Sequence, residues 1–311
     1  MTTNVAVNTS DVDAPQSSGI RLAQGRHYDP NKRRSSLLTV MLWLCALYFV
    51  FPLVWLVVAS TKSNSDLFTS FGLWFGKNFS LWDNLVTVFT TQNGIFTRWI
   101  LNTILYAGVS ATGASLLCTM AGYAFAKYNF PGAKLLFSII LGAIMVPMTA
   151  LAIPTYLLFS AAGIANTVWA VIVPSLVSPF GVFLMWVYAA DAIPDTLIEA
   201  GRVDGAGEFR IFWQVGLRLL APGIVTVFLF SLVATWNNYF LPLIMLNSSD
   251  LYPLTVGLAQ LQSASAAGGG AQALFSTVIT GSLVAVVPLI IAFLYLQRYW
   301  QTGLATGGVK G

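Results

Sequence analysis

Five long stretches of this chain contain no Asp, Glu, Lys or Arg: residues 35–61, 99–126, 135–190, 219–249 and 251–297. A charge at the centre of a bilayer costs roughly 2.5–3.5 kcal/mol, so uncharged stretches of this length are typical of membrane-spanning helices. The composition supports this interpretation, because 57% of the residues are hydrophobic and only 8% are charged, against about 25% charged residues in soluble proteins. The chain is predicted to lie in a membrane.

The five stretches divide into six predicted spans, since about 20 helical residues cross the roughly 30 Å hydrocarbon core. The third stretch is long enough for two spans, which the polar residues 160–167 separate. The fifth stretch becomes continuously apolar only from about Leu274. The predicted spans are 37–60, 101–126, 135–159, 168–190, 219–246 and 274–297. We therefore expect an all-α polytopic membrane protein with six transmembrane helices.

Two tails flank this predicted transmembrane domain of residues 37–297. Residues 1–36 are rich in Thr, Ser, Asn, Asp and Gln and hold few large apolar side chains, which predicts a disordered N-terminal tail. Residues 298–311 form a short C-terminal tail. With six spans, both tails lie on the same side of the membrane.

The basic residues predict which side that is, because short cytoplasmic loops are enriched in Lys and Arg. If both tails are cytoplasmic, twelve of the fifteen basic residues are inside. These are Arg21, Arg26, Lys32, Arg33, Arg34, Lys127, Lys134, Arg202, Arg210, Arg218, Arg298 and Lys310, and only Lys62, Lys77 and Arg98 remain outside. The net charge of +4 is thus interpreted as a topology signal, and no nucleic acid is expected as a partner.

The chain is poor in the residues that catalysis and metal binding require. Its two cysteines, Cys45 and Cys118, fall inside predicted spans, and its only histidine, His27, is in the N-terminal tail. The sequence contains no G-x-x-x-x-G-K-[ST] loop for ATP, and the predicted spans hold no Asp, Glu or Lys that could relay protons. We expect a non-catalytic subunit that binds no metal or cofactor, with any ATP and Mg bound by a partner chain.

Residues 195–222 form a charged, amphipathic segment between the fourth and fifth spans. The spacing of Thr196 and Glu199 predicts a capping box at the start of a short helix. Asp204 and Gly205 predict a turn in which the glycine takes a positive φ. A second amphipathic segment, 208–215, leads back to the membrane. The pattern predicts a cytoplasmic helix-turn-helix, although a cap and a turn with no further role would have the same sequence.

This segment resembles the EAA loop of ABC importer permeases, whose pattern is Glu-Ala-Ala, three residues, Gly, nine residues, an aliphatic residue, one residue and Leu-Pro. The corresponding residues are Glu199-Ala200-Gly201, Gly205, Val215 and Leu217-Arg218. The third motif residue is glycine instead of alanine, and arginine replaces the proline. Further similarity to the six-span permease of maltose-type, di- and oligosaccharide importers extends from about residue 37 to 311, in segments 121–132, 145–147, 153–154, 166–167, 236–242 and 303–311.

The resemblance implies a bacterial inner-membrane importer with two permease and two ATPase subunits, served by an extracytoplasmic sugar-binding protein. This chain would be one permease, paired with a different second permease. Its helix between spans four and five would be the coupling helix that docks in a cleft of the ATPase, where the acidic residue pairs with a basic one. The implied ATPase-coupling residues are Glu199, Ala200, Gly201, Asp204 and Gly205.

Candidate contacts with a transported sugar lie in the fifth predicted span, because sugar sites combine aromatic faces with amides and hydroxyls. Trp236, Asn237, Asn238 and Tyr239 have these side chains, although aromatic residues near a span end also serve as packing residues or interfacial anchors. Other interpretations remain open: a permease for amino acids, polyamines, phosphate or another solute, or else a secondary transporter or a membrane scaffold.

Overall fold

A computed structural model describes residues 35–266 and 274–307, with side chains described as far as Tyr299. The expected disorder of the N-terminal tail falls on residues outside this part, apart from its last two. The chain divides into two compact units, Met1–Val50 and Phe51–Gly311. In the first unit, the described residues 35–50 are exposed and belong almost entirely to one helix. The second unit holds the remaining helices.

The described residues form fourteen α-helices and no strand, which agrees with the predicted all-α class. The helices are α1 Ser36–Ser60, α2 Asn64–Thr69, α3 Leu81–Thr90, α4 Ile95–Lys127, α5 Ala133–Ile144, α6 Met148–Ala161, α7 Val168–Ser175, α8 Pro179–Ala192, α9 Asp195–Val203, α10 Glu208–Ile211, α11 Leu217–Trp236, α12 Phe240–Met245, α13 Leu254–Ala266 and α14 Phe275–Gly307.

Five continuous or nearly continuous helical stretches are long and apolar enough to cross a membrane. They are Ser36–Ser60, Leu81–Lys127, Val168–Ala192, Glu208–Trp236 and Phe275–Tyr299. A sixth crossing requires α5 and α6 together, and the chain bends by 106° between them. The described helices therefore account for five spans, or six if the bent pair counts as one.

Two predicted spans are interrupted in the structure. The predicted span 135–159 consists of two helices, α5 and α6, because Pro147 between them has no amide hydrogen and disfavours helical geometry at the residue before it. The predicted span 219–246 also contains two helices. Helix α11 ends at Trp236, and the short helix α12 begins only after Asn237–Tyr239. Hydropathy detects apolar length, whereas these breaks depend on local backbone geometry.

Helix α4 lies at the centre of the second unit and packs most extensively against α8 and α11. Gly122 allows α4 and α8 to approach closely, since a Cβ there would lie 2.7 Å from the backbone of Met185 and of Trp186. Small residues at such crossings are common in membrane helix bundles. Lipid is as apolar as the helices, so the helices associate through close van der Waals packing and not through the hydrophobic effect.

Two buried clusters occupy opposite ends of α4. The Trp99 cluster, near the start of α4, includes Phe96, Trp99, Tyr106, Trp236, Met245 and Leu254. The Tyr123 cluster, near its end, consists of Cys118, Tyr123, Met185, Ala189, Ile193, Ile198, Ile211, Phe212, Leu220 and Val227. At 1.5 Å rise per residue, Trp99 and Lys127 are separated by about 40 Å along the helix. The second unit thus has two distinct ends, each with its own core.

Candidate functional site

The charged segment between spans four and five, residues 195–216, forms the expected helix-turn-helix. It is called the coupling segment after the role that the resemblance implies. Helix α9 begins at Asp195 with Pro194 as its N-cap, and no side chain caps it. The predicted capping box is therefore wrong, because Thr196 already lies in the first turn and Glu199 lies beyond it. The N-cap is Pro194, with φ −63° and ψ 136°, two residues before the Thr196 N-cap that the Thr-x-x-Glu pattern requires.

The turn after α9 confirms the positive φ predicted for Gly205, which has φ +77°. The amide of Ala206 donates to the carbonyl oxygen of Gly201 at 2.9 Å, and the amide of Gly205 donates to that of Arg202 at 3.0 Å. This pair of hydrogen bonds is a Schellman motif, in which a left-handed residue closes the helix end. The turn fixes the direction in which the chain leaves α9.

Gly201, the departure from the Glu-Ala-Ala pattern, lies where α9 meets the returning chain. A Cβ at this position would lie 3.1 Å from Cγ1 and 3.2 Å from Cδ1 of Ile211. The space that the methyl group of an alanine would need at position 201 is thus occupied by the side chain of Ile211. Glycine lowers the helix propensity of α9 at this position, but it also lets α9 pack closely against Ile211 of α10, so that the two arms of the coupling segment touch.

One face of the coupling segment is anchored in the Tyr123 cluster, and the other is exposed. Ile198, Ile211 and Phe212 are buried against residues of α4, α8 and α11. On the exposed side, Val203 is 88% and Phe209 is 70% exposed, and Glu199 is exposed too. The ring of Phe209 stacks on that of Trp213 with centroids 6.0 Å apart. The segment therefore combines a fixed base with an outer face that exposes apolar side chains and the carboxylate of Glu199.

An ion pair joins the end of α4 to the start of α9. The ammonium group of Lys127 lies 2.8 Å from the carboxylate of Asp195 and also donates to the carbonyl oxygen of Ile193. The Lys127 side chain is only 5% exposed, whereas that of Asp195 is largely exposed. A carboxylate in the first turn of a helix also interacts favourably with the helix dipole. The contact fixes the entry to the coupling segment.

A second polar group joins the two arms of the segment. The Arg202 guanidinium donates to one carboxylate oxygen of Glu208 at 2.6 Å, and the Tyr128 hydroxyl donates to the other at 2.7 Å. Burial raises the pKa of the Tyr128 hydroxyl, and its hydrogen bond to Glu208 acts in the same direction. The hydroxyl therefore stays protonated and remains a donor at neutral pH.

Sequence reasoning missed these anchoring residues. The opposite charges of Arg202 and Glu208 on either side of the Asp204-Gly205 turn were a usable signal. The contribution of Tyr128, 80 residues away from Glu208 in the chain, had no local signal. Within the described part of the chain, the side chain of Glu199 makes no hydrogen bond or ion pair, so the carboxylate singled out from the motif is available for contact with another molecule.

The structure separates the four predicted pathway residues. Trp236 is buried, and its indole Nε1 donates to the carbonyl oxygen of Ala285 at 3.2 Å. The Asn237 amide donates to the carbonyl oxygen of Val233, while Asn238 Oδ1 accepts from the amide of Leu241. These groups hold the break between α11 and α12. Tyr239, by contrast, is 41% exposed and lines a pocket.

This pocket has a volume of about 360 Å³ and lies beside the Trp99 cluster, about 40 Å along α4 from the coupling segment. The turn Thr91–Gly94, α4, α12 and α13 contribute to it. Its lining residues are Gln92, Trp99, Tyr239, Leu243, Val256, Ala259, Gln260, Leu261, Ser263 and Ala264. All ten are uncharged, and three carry an amide or aliphatic hydroxyl group.

Known proteins resemble this chain over most of its length. The arabinooligosaccharide transport permease AraQ of Halalkalibacterium halodurans is 33% identical, over 90% of this chain and 100% of AraQ. The lactose transport permease LacG of Rhizobium radiobacter is 30% identical, over 87% of this chain and 94% of LacG. The fold matches a chain of a bacterial ABC transporter involved in the import of the polysaccharide alginate, with a TM-score of 0.73 at 22% identity, covering 85% of this chain and 95% of that one.

The family described as the binding-protein-dependent transport system inner membrane component matches residues 115–303. This range contains the coupling segment, the anchoring residue Lys127 and the break at Asn237–Tyr239. It covers more than half of the 311-residue chain. The two permeases named above are at least 30% identical to this chain and are matched over nearly their whole length. Together with the family match, this shows that the chain belongs to the family of binding-protein-dependent transport system inner membrane components.

Proposed function

We propose that this chain is a permease subunit of a carbohydrate ABC importer and forms half of the translocation pathway. Family membership supports the transport role, and the relatives named for arabinooligosaccharides, lactose and diacetylchitobiose support a di- or oligosaccharide as the solute. The observation that carries the coupling role is the coupling segment, which is anchored on one face and exposed on the other.

The exposed face is where an ATPase subunit docks. Val203, Phe209 and Trp213 offer apolar area, and Glu199 adds a carboxylate that can pair with a basic residue of the ATPase. ATP and Mg are bound by that partner, and this chain has no catalytic role. The described permease residues instead receive a mechanical displacement from the ATPase.

The anchored face transmits this displacement to the bundle. Ile198, Ile211 and Phe212 connect the segment to α4, α8 and α11, and Lys127 holds its first residue. Packed helices move as units because their cores resist deformation. A shift of the coupling segment would therefore reorient these three helices together, which is the motion that alternating access requires.

The complete importer would contain this chain, a different second permease, two ATPase subunits and an extracytoplasmic sugar-binding protein. The large excess of basic residues near the predicted inner ends of the spans supports a location in the bacterial inner membrane with both termini in the cytoplasm. The coupling segment then lies on the cytoplasmic side, where ATP is available.

Affinity purification of the tagged chain from its own membranes tests this assignment. We expect an ATPase and a second permease to co-purify, and ATP hydrolysis by the reconstituted complex to rise when the binding protein and an oligosaccharide are added. Stimulation by an amino acid, a polyamine or phosphate instead of sugars would show a non-sugar permease. Recovery of the chain without an ATPase, from membranes that contain all candidate partners, would contradict the importer assignment.

A further inference from the structure

We propose that the pocket beside Tyr239 is a binding site for a neutral sugar ring, a proposal that rests on the proposed function above. Of the four residues considered from sequence, Tyr239 lines this pocket, whereas Trp236, Asn237 and Asn238 do not. The site adds Gln92 from the turn before α4 and Gln260 and Ser263 from α13. It would give this permease its own direct contact with the solute, in addition to recognition by a binding protein.

The pocket has a rigid floor. A Cβ at Gly257 would lie 2.3 Å from the ring of Trp99, so glycine is needed for α13 to lie against the indole. The indole Nε1 donates to the carbonyl oxygen of Ser249 at 2.9 Å, and the Thr103 hydroxyl accepts from the amide of Leu254 at 2.8 Å. Preorganised walls of this kind lower the entropy lost on ligand binding.

The lining chemistry suits a neutral sugar. The partly exposed ring of Tyr239 provides a face for the C–H groups of a sugar ring, while the amides of Gln92 and Gln260 and the hydroxyl of Ser263 can pair with its hydroxyl groups. An ionised ligand would lose hydration without gaining a countercharge, since all the lining residues are uncharged. The volume of about 360 Å³ is within the usual range of small-molecule sites.

Backbone strain marks the same location. Gln92 and Asn93 both lie in the left-handed region, with φ 49° and 61°, although neither is glycine. Such conformations persist only where the surrounding structure enforces them, and they concentrate at functional sites. Here the strained turn brings Gln92 to the pocket.

One helix connects this pocket to the coupling segment. Helix α11 begins at Leu217, directly after the coupling segment, and ends at Trp236, three residues before Tyr239. Its 20 residues span about 30 Å. Movement of α11 by the coupling segment would shift Tyr239 relative to α13 and so change the pocket. The pocket would therefore have the shape that binds the sugar in one state of the transport cycle and a different shape in the other state.

The test uses the intact permease–ATPase complex carrying Ser263→Cys, which places a thiol in the pocket. Its modification by a maleimide is timed with rising concentrations of arabinotriose, lactose or diacetylchitobiose, without ATP or binding protein. We expect the sugar that the complex transports to slow modification at least fivefold, in a saturable manner. Tyr239→Ala should abolish this protection, and Tyr239→Phe should retain it.

A matched pair of variants on α13 separates binding from helix stability. Gln260→Ala should weaken protection at least threefold, whereas Gln262→Ala, two residues further along the same helix and outside the pocket, should leave it unchanged. Absence of protection by a sugar that the same complex transports would overturn the pocket proposal while the proposed function stands. Transport of a non-sugar solute alone would overturn the proposed function. An equal loss of protection in Gln260→Ala and Gln262→Ala would show that protection depends on the packing of α13 and not on the Gln260 amide in the pocket.

Discussion

At the residue scale, different residues of the coupling segment have different roles: Glu199 is placed to contact a partner, and Gly205 shapes the turn. Glu199 is exposed on α9, and its side chain has no hydrogen bond or ion pair in the described part of the chain. Gly205 instead determines how α9 ends, since its φ of +77° completes two hydrogen bonds back into the helix. A Cβ at Gly205 would meet no atom within 4 Å, so any cost of substitution comes from the backbone alone.

Replacing Glu199 with Lys is expected to uncouple transport without affecting membrane insertion. The new charge would face the basic residue proposed in the ATPase, and like charges at an interface are unfavourable. Uptake and substrate-stimulated ATP hydrolysis should both fall in the reconstituted complex, with Glu199→Gln as the milder control. Normal values of both in Glu199→Lys would show that this carboxylate does not contact the ATPase.

Gly205→Val is expected to strain the turn by roughly 1–3 kcal/mol, because a β-branched residue is unfavourable at positive φ. Expression and insertion should stay normal, since the substitution leaves the buried clusters intact. The ATPase recovered with the purified variant should fall, and Gly205→Asn, which tolerates this conformation better, should recover more. Equal ATPase recovery in all three proteins, with equal sugar uptake, would make the segment a passive connection.

At the element scale, the coupling segment is a single unit because its two arms are joined at several points. Glu208 accepts from both Arg202 and Tyr128, and Ile211 packs against Gly201. The Arg202 and Glu208 side chains are each nearly half exposed, so their ion pair is screened by water and contributes mainly to orientation.

We expect Glu208→Ala to loosen α9 relative to α10 without unfolding the bundle. Hydrogen exchange of the amides of Asp204, Gly205 and Ala206 should become faster in the isolated permease, since Arg202 and Tyr128 lose their shared acceptor. Arg210→Ala is the control, because the Arg210 side chain donates a hydrogen bond to the exposed Gln214 four residues away on its own arm. Unchanged exchange in Glu208→Ala would show that the apolar contacts alone hold the arms together.

At the scale of the whole molecule, α4 links two ends with different chemistry. Near Trp99 the second unit has an uncharged pocket, and near Lys127 it has the ion pairs and exposed acidic residues of the coupling segment. The two are separated by about 40 Å, which exceeds the roughly 30 Å hydrocarbon core. This distance allows the two ends to lie on opposite sides of the membrane.

The charge distribution predicts which end is outside. A membrane-impermeant thiol reagent added to intact cells should modify Ser263→Cys and leave Gly207→Cys unmodified, since the pocket end is expected outside and the coupling segment inside. Both variants should react once the membrane is permeabilised, which confirms that both positions are accessible. Labelling of Gly207→Cys alone in intact cells would reverse the proposed topology.

Much of this protein can be predicted from local sequence properties. Apolar length predicted helices in each of the six regions, and the Asp204-Gly205 pair predicted the left-handed turn that ends α9. Prediction failed where the same local sequence pattern is compatible with more than one backbone structure. Thr196 and Glu199 fit a capping box, yet Pro194 starts the helix earlier, and Asn237 interrupts an apolar stretch that hydropathy treats as continuous.

The sequence by itself determined that the chain lies in a membrane and where its charged coupling segment falls, because transfer free energies and turn preferences act on neighbouring residues. Only the tertiary structure decided what each side chain meets. It buried Trp236 and left Tyr239 at a pocket, and it brought Tyr128 to Glu208 across 80 residues. Such contacts depend on how helices pack, and helix packing is a property of the whole bundle that no short stretch of sequence contains.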